Sequence, residues 1–133
     1  MTSTADIEAA LGSLKTYYLI SGIANAVAMV VGTVAIVIGG AMTCGVGCLL
    51  LFLPLINIVV MVFDFVASSK VSQAPSAKTY SFLRTASILD IVACFAVIPL
   101  IMGILSLQIL GKPEVRRYFE LGSEGVSFEP PQL

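Results

Sequence analysis

Apolar residues dominate three stretches long enough to cross a bilayer as helices, which takes about 20 residues. They cover residues 17–38, 49–67 and 85–110. Residues 39–48 join the first two and are glycine-rich and uncharged, the composition of a tight hairpin connection. Residues 68–84 carry Lys70, Lys78, Arg84, Pro75 and several serines, which reads as a solvated polar loop. Ahead of the first span, residues 1–16 form an amphipathic segment. Ser3 stands three positions before Asp6 in capping-box spacing, and Ile7, Leu11, Leu14 and Tyr18 recur at helical intervals. This pattern predicts either an interfacial helix or an early start of span one. Residues 111–133 follow the third span. Gly111 is placed as a C-cap and Pro113 as the first residue of a helix over 113–121, with an irregular tail after Gly122. In that helix Val115, Tyr118 and Phe119 are expected to face lipid headgroups, and Arg116 and Arg117 to face phosphate.

The expected fold is an all-α integral membrane protein with three transmembrane helices, up-down-up, in a single membrane domain over 1–133. Short amphipathic helices stand at its N-terminus and after the last span. A second course is open to residues 85–110, because a helix broken at Pro99 would re-enter and bring all seven basic residues to one side. Each half would be only about 20 Å long, too short to cross alone. Nonhelical backbone at that depth also needs shielding by protein, so the continuous span is the expectation, with Pro54 and Pro99 kinking their helices at similar depth.

Composition supports lipid as the main solvent: 58% of the 133 residues are hydrophobic and 11% are charged, where soluble domains run near a quarter charged. The net charge of −1 is too balanced for a nucleic-acid footprint. Histidine is absent, which removes Ser-His-Asp and Cys-His chemistry and most zinc sites. No phosphate-binding loop, nucleophile elbow or internal repeat is found, so the chain reads as a non-enzyme with no cofactor or metal, bound lipid aside.

Basic residues favour the cytoplasmic side. In the three-span topology Lys15, Lys70, Lys78 and Arg84 lie on one side and Lys112, Arg116 and Arg117 on the other. That count places the N-terminus and the 68–84 loop in the cytoplasm. Tyr17, Tyr18, Tyr80 and Phe82 mark one interface, and Tyr118 and Phe119 the other.

Asp64 and Asp90 are the ionisable residues within spans, and with Asn25 and Asn57 they compose a candidate intramembrane polar cluster. Antiparallel spans two and three would set both aspartates toward the loop 68–84 face. Two roles fit: binding a cation or proton, or reaching interfacial water and pairing with Lys70 or Arg84. The second is favoured because the opposite half holds little beyond Thr33, Ser106 and Gln108. On span one, Ser21, Ala24, Ala28, Gly32, Ala35 and Gly39 form a small-residue stripe suited to close helix packing. Cys44 and Cys48 could pair as a disulfide in an oxidising space, although small apolar packing explains them as well. The expected function is that of a noncatalytic accessory or structural subunit packing against a larger membrane protein complex, as a hetero- or homo-oligomer in contact with lipid. The alternative is a small oligomeric transporter or channel that uses Asp64 and Asp90.

Overall fold

The computed structural model describes residues 4–40, 52–92 and 97–122, which form five helices. They are α1 (Thr4–Gly40), α2 (Phe52–Val71), α3 (Ala77–Val92), α4 (Val97–Leu110) and α5 (Pro113–Leu121). Cys44, Cys48 and the hairpin at 41–48 lie outside the described residues, as does the tail beyond Gly122. Two helices, α1 and α2, are each long and apolar enough to cross a membrane.

α1 is a single helix of 37 residues, about 55 Å by helix rise. The amphipathic segment is therefore the continuation of the first span and not a separate interfacial helix. Three of its hydroxyls bond within the helix: Ser13 donates to the Ala9 carbonyl at 3.0 Å, Thr16 to Gly12 at 2.9 Å and Thr33 to Met29 at 2.8 Å. α2 runs back along α1, and the Ser68 hydroxyl donates to the Lys15 carbonyl at 3.4 Å. The connection from α2 to α3 is shorter than the expected 68–84 loop, occupying residues 72–76. Ser76 ends it as a cap, its Oγ accepting from the Thr79 amide at 3.1 Å.

The largest difference from expectation concerns residues 85–110, which do not form one span. α3 and α4 are antiparallel, with Gly103 against Ser87 and Asp90 and Leu110 against Tyr80. The Tyr80 hydroxyl donates to the Leu110 carbonyl at 3.0 Å. In a continuous helix those residues would stand about 45 Å apart. Pro99 sits in the first turn of α4, where a missing N–H costs no helical bond, so it helps begin a helix and does not kink one. Pro54 likewise falls in the first turn of α2 as described. α3 and α4, with 16 and 14 residues, are about 24 and 21 Å long. What joins them side by side is the absence of a side chain at Gly103. A Cβ placed there would lie 2.9 Å from Asp90 Cβ and 2.9 Å from the Ser87 carbonyl oxygen.

α5 covers the predicted residues, with Pro113 at its start, and it turns 71° away from α4. Its apolar face does not point to headgroups as expected. Val115 and Phe119 are buried in a core with Leu14, Tyr18, Ala67, Leu83 and Leu110. Phe119 also meets Tyr80 at 6.0 Å, so the aromatics expected at two interfaces gather at one end. Arg116 stays exposed and pairs with Glu120 at 2.7 Å.

With α4 returning, the N-terminal turns of α1, the 72–76 connection and α5 share that end. All seven basic residues lie on it, replacing the expected division of four and three.

Two tests follow from this topology. Ser72→Cys and Glu120→Cys, each in a chain freed of its native cysteines, should react with a membrane-impermeant maleimide from the same side of a sealed vesicle; labelling from opposite sides would restore the three-span arrangement. Gly103→Val should lower thermal stability by about 1–3 kcal/mol through overpacking at the α3–α4 contact. Gly32→Ala, facing open space, should leave the melting transition close to that of the wild type.

Candidate functional site

Two aspartates would be costly in an apolar bundle unless polar partners met them. α1 supplies these partners from one face, where Tyr18, Ser21 and Asn25 follow at spacings of three and four. Ser21 Oγ donates to Asp90 Oδ1 at 2.9 Å. Asn25 Nδ2 donates to Asp64 Oδ2 at 3.0 Å. One turn toward the charged end, the Tyr18 hydroxyl donates to the Leu83 carbonyl at 2.6 Å and lies 2.8 Å from Ser87 Oγ. Ser87 in turn reaches the Leu83 carbonyl at 3.1 Å. α1 thus ties α2 and α3 together through side chains it presents at successive turns.

Asp64 and Asp90 are 0% and 1% exposed. Both carboxyl groups are thus held against one face of α1, by donors one helical turn apart. Asp64 Oδ1 and Asp90 Oδ2 have no hydrogen-bond donor. Pairing with Lys70 or Arg84, expected from sequence, does not occur. Lys70 instead stands 5.6 Å over the Phe82 ring, which is stacked on Phe63 at 5.3 Å.

Gly22 brings α1 close to this layer, since a Cβ there would lie 3.3 Å from Asp64 Cβ. On the other side Gly103 lets α4 close over Asp90. The two glycines therefore wall the carboxylates in with backbone.

The remaining candidates divide. Ser21 leaves the packing stripe and joins the polar cluster. Ala24 and Ala28 are half-buried, while Ala35 and Gly39 are exposed. Gly32 and Gly39 have no atom within 4 Å of where a Cβ would stand. Asn57 is buried with its Oδ1 unpartnered, but it lies two helical turns, about 10 Å, from Asp64 and is not drawn into the cluster. Ser106 and Gln108, expected in the far half, sit back toward the charged end because α4 reverses. Gln108 and Lys112 line an open groove there with Asp6, Ser13 and Tyr17. Among the described residues no three of His, Cys, Asp and Glu come together as a metal site.

Sequence reasoning missed Tyr18, Ser87, Gly22 and Gly103. The first two were visible as polar positions one turn from Ser21 and Asp90. The glycines carried no such signal, because nothing in the local pattern separates a glycine that meets backbone from one that faces open space.

Replacing Asn25 with Leu should destabilise the bundle by about 1–3 kcal/mol, the cost of leaving a buried acceptor on Asp64 without its donor. Tyr18→Phe should cost less, because Ser87 still donates to the Leu83 carbonyl. Thermal unfolding in one detergent orders the two variants, and Tyr18→Phe falling below Asn25→Leu would contradict the assignment.

Comparison with protein-family models, curated proteins and solved structures returned no match to this chain.

Proposed function

We propose that the chain is a noncatalytic integral membrane protein that packs as an accessory or structural subunit against a larger membrane protein assembly, whose other members are different chains or further copies. The observation that carries this reading is the uncovered length of α1 and α2 beyond the carboxylate layer. Val31, Val37 and Ile38 are 62%, 63% and 68% exposed, and Phe52 is 63% exposed. Exposure of this kind is neutral in lipid and gives no drive to associate by itself. Gly32 adds a reason, since its open surface lets a partner helix approach to backbone distance. The polar side chains of the carboxylate layer, by contrast, are turned inward.

The seven basic residues at one end favour an orientation with the N-terminus, the 72–76 connection and α5 in the cytoplasm. In this orientation Arg117 and Lys112 meet anionic headgroups.

A second reading, an oligomeric transporter or channel using Asp64 and Asp90, draws support from their two unpartnered oxygens. It lacks a continuation: among the described residues the far half offers Thr33, bonded within its own helix, and the buried Asn57. The accessory reading therefore ranks first.

Purification in mild detergent tests it. The wild-type protein should migrate as part of an assembly larger than the monomer. Ala28→Leu with Gly32→Leu should release it as a monomer of unchanged melting behaviour. A native protein that already runs as a lone monomer would sink the proposal.

A further inference from the structure

The Asp64–Asp90 pair has acceptors in excess of donors. Each carboxylate receives one hydrogen bond from a neutral donor, Ser21 or Asn25. Each keeps one buried oxygen with no donor, and the donors that hold the two carboxyl groups stand one turn apart on the same face of α1. Among the described residues neither carboxylate has an ion-pair partner. The groups packed around the pair are Ser21, Gly22 and Asn25 from α1, Ser87 from α3 and Gly103 from α4, none of them charged. The nearby titratable group, the Tyr18 hydroxyl, is engaged with Leu83 and Ser87. Two full negative charges held about one helical turn apart in an apolar setting repel strongly, with little water to screen them. One proton shared by the pair removes both problems at once. It cancels one carboxylate and gives the two orphaned acceptors a common bond.

We propose that Asp64 and Asp90 form a proton-binding site holding one shared proton between Asp64 Oδ1 and Asp90 Oδ2 at neutral pH. The carboxylic acid of one residue donates to the carboxylate of the other and links α2 to α3 at the level where α1 and α4 close over them. A proton fits better than a metal ion, because a hard cation such as sodium or calcium takes several oxygen ligands. Here two of the four carboxylate oxygens are already committed to Ser21 and Asn25.

The chain contains three aspartates, Asp6, Asp64 and Asp90. Asp64 and Asp90 are the buried two, so the label together with the two substitutions below assigns a protonated-aspartate signal to the pair. The full chain, grown with carboxyl-¹³C aspartate and reconstituted in nanodiscs, should show an infrared band of a protonated carboxyl at pH 7 that shifts with the label and with deuteration. Its intensity should match one group per chain and be unchanged when sodium replaces potassium or choline. Asp64→Asn and Asp90→Asn should each remove it, because the remaining carboxylate then has an amide to donate to it. Absence of the band from the labelled wild type would overturn the proposal, and needs no variant to fold. Loss of the band on adding sodium would also overturn it, by showing an alkali-cation site. Persistence of the band in both folded variants would overturn the sharing, because each carboxyl would then hold a proton without the other.

Discussion

In an apolar medium a polar group must be satisfied by the chain itself, and in this protein that requirement centres on two carboxylates. Asp64 belongs to a helix able to cross a membrane and Asp90 to one that is not. Neither has a basic partner. Their solvation comes from Ser21 and Asn25 on α1 and from exclusion of everything else by Gly22 and Gly103. Removing α4 from this arrangement would uncover Asp90 on the side that Gly103 now closes. The return of the chain after α3 is thus coupled to the burial of a charge-bearing residue.

Packing density follows the same division. The large buried side chains, Leu14, Tyr18, Leu83, Leu110, Val115 and Phe119, gather at the charged end, where five helices contribute. There the apolar face of α5 folds under the bundle, and its arginines remain outside. Beyond the carboxylate layer the described structure thins to α1 and α2. A polar layer therefore separates a close-packed end from a two-helix extension.

Much of this was legible in the sequence, unevenly. α5 followed from Gly111 and Pro113 because capping chemistry is local. That Asp64 and Asp90 share a level followed from an antiparallel pairing of neighbouring helices, and it survives the change of topology because α2 and α3 still meet through a short connection. The reversal after Val92 was hidden by Ala93, Cys94, Phe95 and Ala96, which extend the apolar run without a glycine, proline or charge to interrupt it. Hydropathy sums across such a stretch and cannot distinguish one long helix from two short ones. The roles of Val115 and Phe119 were misread for a related reason. An amphipathic face looks the same whether lipid or protein covers it.

Among the described residues the unequal lengths of the helices give a tapered outline. From Gly22, α1 continues about 27 Å to Gly40, whereas α4 extends only about 9 Å from Gly103 to its start at Val97. A slice at the carboxylate layer cuts four helices, and a slice near the far ends of α1 and α2 cuts two of those described. Lipids in the two leaflets would meet circumferences of different size, so the protein would displace more area from the leaflet at its basic end. Such a wedge couples its packing to the curvature and lateral pressure of the sheet around it.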